Sequence, residues 1–292
     1  MAEWAGDSLC IDCFRRGLGS FMSTGGIPDD EAAALLDGYM AEIVRRIEAC
    51  DPPPIAGAAV YRDLRRRLGG ADVFREVKNF FTESLCGMLP DLRAAVSASP
   101  EPFLEALGLA AWGNLIDVAQ NRPLPEPGEL ASRVGMPPDV DEREAFAAML
   151  GRGGTLLILG DNAGETVFDR LALEFLPAGV RAFYAVRPEP VLNDATRLDA
   201  LSAGIDDFAT IISTGMDAPT VTLEGAGPEL ASAVACADAI LAKGQGNLEG
   251  LYGCTDPRLF HSLAVKCGVI SRLTGLEVGS AVFANCRTLS GR

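Results

Sequence analysis

The feature that most constrains the fold of this 292-residue chain is a change of hydrophobic period across one proline-rich stretch. Up to about residue 120 the apolar positions recur at spacings of three and four, the signature of helices with one buried face. Between residues 30 and 50 they are Leu35, Leu36, Met40, Ile43, Val44 and Ile47, with Asp29 or Asp30 placed to cap the start. Pro52, Pro53 and Pro54 end that helix. Further helical patterns run over 58–68, 72–96 and 101–119, punctuated by Gly69-Gly70 and Ser99-Pro100. Residues 121–140 are rich in proline and polar side chains. Beyond them come short apolar runs at 155–160, 180–186, 208–213, 237–242 and 259–265, most followed by a turn and a helical segment. That alternation predicts an α/β fold, a mainly parallel sheet flanked by helices. The expected division is a helical N-terminal domain over 1–125, a bundle or cap, and an α/β domain over 140–292 that binds metal and phosphate.

Charge narrows the partners. A net charge of -15 and a pI near 4.5 repel both a polyphosphate backbone and an anionic lipid surface. The only dense basic cluster is Arg62, Arg65, Arg66 and Arg67, which fits the solvated face of a short helix better than a nucleic-acid patch. No apolar run approaches the roughly 20 residues that cross a bilayer. The first residues, with Glu3 and Asp7, lack the basic and apolar regions of a secretory signal. Eight cysteines then read as reduced thiols or metal ligands, and a cytoplasmic location is expected.

In an open α/β sheet, ligands bind beyond the carboxyl ends of the strands. Three such turns carry polar chemistry: Asp161-Asn162-Ala163-Gly164-Glu165, Arg187 with Asn193-Asp194, and Lys243-Gly244-Gln245-Gly246-Asn247. Each has a plain structural explanation as a helix cap or solvated turn. Their common placement at one sheet edge is what favours a site. Asp161, Asn162 and Asp194 are hard oxygen donors that suit magnesium or manganese. Lysine occurs only as Lys78, Lys243 and Lys266. Lys243 among glycines offers positive charge and approachable backbone N–H groups for a phosphoryl group. The single histidine, His261, lies in an apolar run and reads as a core residue. Neither GxxxxGK[ST] nor a complete GxGxxG occurs. Cys10 and Cys13 form one CxxC, which is weak evidence for zinc because no second pair follows. Cys50 and Cys86 are the other thiols of the helical half, available to complete a site there, and a thioredoxin-type role would need a preceding strand. Cys236, Cys254, Cys267 and Cys286 read as inert thiols.

Four ordered motifs, DNAGETVFD (161–169), VRPEPVLNDAT (186–196), AKGQGNLEGL (242–251) and LAVKCGVISRLTG (263–275), together with CIDC (10–13), FREVKNFF (74–81) and WGNLID (112–117), cover nearly the whole chain. In these the chain resembles the damage-control phosphatases, long grouped as the domain of unknown function 89 family, in the branch with an N-terminal CxxC. The resemblance implies a Rossmann-like α/β domain with an N-terminal helical part. It implies a divalent metal on Asp161, Asn162 and Asp194, Lys243 on the substrate phosphate, and Asn114, Glu165, Arg187 and Asn247 lining the site. Substrates of the family are phosphorylated small molecules, including sugar phosphates and damaged metabolites. The segment 213–227 looks less regular than the family pattern.

The first reading is therefore a metal-dependent phosphatase acting on small phosphate monoesters, using manganese, magnesium, cobalt or nickel, with Asp161 and Lys243 catalytic. Asp161 acts as nucleophile or a water does; the residues leave that open. A second, structural metal at Cys10 and Cys13 is admitted. The expected partner is a small phosphorylated substrate, with neither nucleic acid nor membrane, and the oligomeric state is open. Two alternatives compete: a carboxyl methyltransferase using S-adenosylmethionine, suggested by the glycine-containing turn after the first strand, and a non-catalytic metal or metabolite binder in which CxxC is the active feature.

Overall fold

A computed structural model describes residues 7–117, 123–151 and 153–290. The first half contains α1 (Ser8–Thr24), α2 (Asp29–Glu48), α3 (Pro53–Arg67), α4 (Arg75–Ser97) and α5 (Pro102–Gly113). Among its described residues there is no strand, as the period predicts. The proline triplet does more than stop α2: Pro53 and Pro54 open α3, where a missing N–H costs nothing.

The second half contains α6 (Pro127–Ala131), β1 (Val140–Asp141), α7 (Arg143–Leu150), β2 (Thr155–Leu159), α8 (Thr166–Glu174), β3 (Arg181–Val186), α9 (Arg197–Ala203) and β4 (Thr210–Ser213). It continues with α10 (Pro228–Cys236), β5 (Ala239–Lys243), α11 (Gly244–Gly250), β6 (Leu259–Ala264), α12 (Gly268–Thr274), β7 (Ala281–Asn285) and α13 (Cys286–Ser290). The seven strands form one sheet in the order β1-β7-β6-β5-β2-β3-β4. All pairs are parallel except β6 with β7. The fold is thus α/β with a mostly parallel, helix-flanked sheet. The five apolar runs became β2 to β6; β1 and β7, at one edge, are strands the pattern did not announce.

The chain leaves β2 toward β3 and β4, then returns to place β5 on the other side of β2. Such a reversal opens a crevice at the carboxyl ends of the two central strands. The alternation of side chains along each strand separates two cores. Leu156, Ile158, Tyr184, Leu241, Phe260 and Phe283 pack with α4, α5 and α8 on one face. Leu157, Leu159, Ala185, Ile240 and Ala242 pack with α10 on the other. The last two helices of the N-terminal half therefore share a core with the sheet. Only α1 to α3 build a cluster of their own, around Leu18, Phe21, Ile43, Ile47 and Leu64, and even this includes Val191 and Leu192 from the loop after β3.

The basic cluster is also accounted for. Arg62 and Arg65 pair with Asp217, Arg65 also donates to the Pro190 carbonyl, and Arg67 pairs with Asp63. Two of these arginines thereby clamp the segment 213–227 to α3. No helix of the described residues is long and apolar enough to cross a membrane.

Candidate active site

The loop after β2 and the loop after β3 are stitched into one unit at the crevice. Ala195 N–H donates to the Asp161 carbonyl at 2.6 Å, Ala163 N–H to the Asn193 carbonyl at 2.8 Å, and Asn162 and Asp194 form an isolated antiparallel bridge. Leu192, just before Asn193-Asp194, has φ +48°, a left-handed conformation that a γ-branched residue adopts at a cost. Gly244, at φ +80°, follows β5, and a Cβ there would collide with the Asp161 carboxylate. Glycine is required so that this carboxylate can lie against the backbone.

Beneath the crevice is a buried layer of charged and amide groups. Asn114, at the end of α5, donates from Nδ2 to Asp161 Oδ2 and Glu165 Oε2, both at 2.8 Å, while its Oδ1 accepts from Ala264 N–H. Asn162 Nδ2 donates to the same two carboxylate oxygens at 2.8 and 2.9 Å. Lys243, fully buried, gives its ammonium to Asp169 Oδ1 at 2.6 Å, Glu165 Oε1 at 3.2 Å and the Ala110 carbonyl at 3.1 Å. Burial works against that charge, but Asp169 and Glu165 more than offset it and hold the Lys243 pKa above its ordinary range. Tyr184 Oη donates to the other oxygen of Asp169 at 2.7 Å. Arg187 donates from Nε to Asp194 Oδ2 at 2.7 Å and from Nη2 to Asn247 Oδ1 at 3.0 Å.

Above this layer lies a cleft of about 140 Å³. Of the residues expected at the site, Asp161, Asn162 and Asp194 line it; Asn114, Glu165, Arg187, Lys243 and Asn247 do not. They form the layer below and orient the residues that do. Lys243 in particular has no reach into the cleft, because β5 delivers its side chain into the core between α5 and α8. The cation that lines the cleft is Lys266, 6% exposed, whose ammonium meets Asp117 Oδ2 at 2.8 Å. Lys266 lies beyond the carboxyl end of β6, so the placement that singled out Lys243 applied to it equally. Asp117, Gln245, Glu249, Cys10, Cys13 and Cys267 complete the polar and sulfur lining.

The charges at the cleft are strongly coupled. Burial, then the nearby Glu165 and Asp194, push the Asp161 carboxyl well above the usual carboxylate range, with Lys266 opposing. Burial also raises Asp194, although Arg187 counteracts it. Asp161 Oδ2 and Asp194 Oδ2 are committed to donors, and the Asn162 amide N is committed to carboxylates. Asp161 Oδ1, Asn162 Oδ1 and Asp194 Oδ1 accept no hydrogen bond from the described side chains, leaving three oxygens beside the cleft. Two carboxylates and one amide, all hard donors, fit a magnesium- or manganese-type cation with coordination positions left over.

The thiols behave differently. Burial pushes Cys10 up to about 12 and Cys13 up to about 11, so both stay protonated and weakly nucleophilic. Among the described residues no three His, Cys, Asp or Glu side chains are grouped to hold an ion. Cys50 is exposed and Cys86 packs against the core of α4 and α5, so neither belongs with the CxxC. His261 is buried with Nδ1 unpartnered, and burial lowers its pKa to about 3, which keeps it a neutral core residue.

Comparison with known proteins bears on this arrangement. The family model described as the damage-control phosphatase ARMT1-like domain matches residues 7–282. The chain belongs to the damage-control phosphatase family. The protein named damage-control phosphatase PH1575 from Pyrococcus horikoshii is 30% identical over 236 residues, covering 79% of this chain and 80% of that protein. A damage-control phosphatase of Archaeoglobus fulgidus is 29% identical over 229 residues, covering 76% and 79%. The crystal structure of the P. horikoshii protein, described as a DUF89 family protein, superposes with a TM-score of 0.83 at 25% identity, covering 94% of this chain and 97% of that one. Membership in the damage-control phosphatase family thus spans both halves of the chain, including the α1 helix that carries the CxxC.

Proposed function

We propose that this protein is a phosphatase that hydrolyses phosphate monoesters of small metabolites, with a divalent cation held by Asp161, Asn162 and Asp194. The observation that carries the reading is the juxtaposition of three uncommitted oxygens and one ammonium, Lys266, in a single cleft at the sheet's switch point. The names of the relatives support it. When bound, the cation would neutralise phosphoryl charge and make phosphorus more electrophilic.

The chain's own groups do the rest. Lys266 binds a phosphoryl oxygen and stabilises the charge that grows in the transition state. Its contact with Asp117 holds the ammonium in place. Asp161 serves as nucleophile or takes the proton of an attacking water, and its Oδ2 is fixed for either task by Asn114 and Asn162. Lys243 holds Glu165 in position under Asp161, a positioning role rather than the phosphate contact expected from sequence.

The test is a panel of phosphate esters assayed with manganese, magnesium, cobalt or nickel, with and without chelator. Hydrolysis that needs the cation and is lost in Asp161→Ala and Asp194→Ala supports the reading. Failure to hydrolyse any ester, or variants as active as the parent, sinks it.

A further inference from the structure

One carboxyl that lines the cleft has no part in the phosphoryl chemistry described above. Glu249 stands near the end of α11, on the same cleft as Asp161, Asn162, Asp194 and Lys266. Gly244 opens that helix with its backbone against the Asp161 carboxylate. Five residues later, at roughly 1.5 Å of rise each, Glu249 lies about 7.5 Å farther along the helix axis. In phosphoryl transfer the attacking and leaving oxygens are roughly in line across phosphorus. A group that far from the Asp161 carboxylate is spaced to meet the oxygen that departs, not the one that attacks.

The carboxyl is tied to the residue that would bind phosphate. The Lys266 backbone N–H donates to Gln245 Oε1 at 3.2 Å, which fixes the amide orientation, and Gln245 Nε2 donates to Glu249 Oε1 at 3.1 Å. Among the described residues no lysine or arginine forms an ion pair with Glu249; its side-chain hydrogen bond is the one from Gln245. That bond occupies Oε1, so the proton of the neutral acid sits on Oε2. Burial pushes the carboxyl up to about 8, against the Gln245 hydrogen bond and Lys266 and with Asp117 adding to the rise. The other titratable groups on this wall, Cys10 and Cys13 of α1, Tyr61 of α3 and Cys267 before α12, are all raised by burial and uncharged near neutral pH.

No other group lining the cleft is as well placed to give up a proton. Asp161 and Asp194 are the carboxylates offered to the cation, and Asp117 is held by the Lys266 ammonium. The thiols of Cys10 and Cys13, at about 12 and about 11, are far weaker acids than a carboxyl at about 8. Proton transfer in a transition state is most efficient from a group whose pKa lies near the working pH. Glu249 alone combines that acidity with a place in the cleft and freedom from a cationic partner.

We propose that Glu249 is a catalytic residue, the general acid that protonates the departing oxygen of the phosphate ester. This rests on the phosphatase reading, and the test separates the two. As the bond from phosphorus to the ester oxygen breaks, its electron pair stays on that oxygen, which takes the Oε2 proton and leaves as a neutral alcohol. Glu249 is left as a carboxylate. The water consumed closes the balance: its oxygen and one hydrogen go to the phosphate, and its other proton returns to Glu249 through solvent. Hydrolysis is compared for two esters of similar shape under saturating manganese: p-nitrophenyl phosphate, whose phenolate departs readily without a proton, and phenyl phosphate, whose more basic oxygen gains from one. Glu249→Gln should lose on the order of a hundredfold in kcat on phenyl phosphate and only a few fold on the nitrophenyl ester, with KM little changed. In the parent, kcat on phenyl phosphate should fall above about pH 8 as the acid loses its proton, and the nitrophenyl ester should lack that limb. Equal losses on the two esters in a folded Glu249→Gln protein, or no loss on either, overturn the proposal alone. Parent pH profiles with the same basic limb for both esters do so too, without need of a variant. If the parent hydrolyses neither ester, the phosphatase reading falls and the general acid with it.

Discussion

Lys243 and Lys266 carry the same charge at the ends of neighbouring strands, yet their surroundings assign them opposite work. Lys243 compensates two buried carboxylates, so Lys243→Ala should leave Glu165 and Asp169 unpaired and destabilise the protein by about 3–5 kcal/mol. Thermal unfolding would show this as a marked fall in Tm, with activity per folded molecule falling through displacement of Glu165. Lys266→Ala leaves one carboxylate, Asp117, which lines the cleft where water can reach it, so it should lower Tm less than Lys243→Ala and reduce kcat/KM about a hundredfold, the usual size of one lost electrostatic donor, roughly 3 kcal/mol. Equal loss of stability in both variants would contradict this division. The sequence made the two hard to tell apart because each follows an apolar run; what decides is whether the side chain is the last of the strand, pointing into the core, or lies in the turn beyond it. The metal-compatible trio was readable for the converse reason, since Asp161, Asn162 and Asp194 lie in turns whose backbones must converge at the crevice. His261 adds a pH effect of its own. Its folded pKa of about 3 lies below the unfolded value, so the unfolded chain gains the proton first as pH falls. Stability should therefore decline from about pH 6.5 toward pH 3, and His261→Gln should flatten that part of the curve in urea titrations.

At the scale of elements, the period of the apolar pattern identified α2 to α5 and β2 to β6, because each buries a face long enough to show a repeat. It did not reveal β1, which has two residues, or β7, which runs antiparallel and turns directly into α13. Nor did it show that 213–227, irregular in sequence, is held to α3 by ion pairs of Asp217 in addition to the burial of Ala218 and Val221. Asp217 is the common partner of Arg62 and Arg65, so Asp217→Ala should release that segment. Hydrogen exchange and limited proteolysis within 214–227 are expected to rise while the exchange of β2 and β5 stays unchanged. Uniformly faster exchange across the sheet would show instead that the clamp supports the whole fold.

For the whole molecule, the proline-rich stretch near residue 125 is a change of pattern without a change of core. Phe81, Leu85 and Leu107 lie in one cluster with Leu156, Ile158 and Phe283, from both sides of that stretch. The expected consequence is a single cooperative unfolding transition, with near-UV and far-UV circular dichroism coincident in urea; two separated transitions would restore two independent units. The acidity of the cleft has a further consequence, for the order of events. Among the described residues Asp117, Asp161 and Asp194 line it against one ammonium, so a phosphate dianion approaching the bare protein is met mainly by acidic groups. A cation arriving first reverses that field. Traffic through the cleft should then have a compulsory sequence, cation before ester and product anion before cation, and inorganic phosphate should bind measurably in the presence of manganese but not in chelator. Equal affinity in both conditions would mean that Lys266 alone admits the anion.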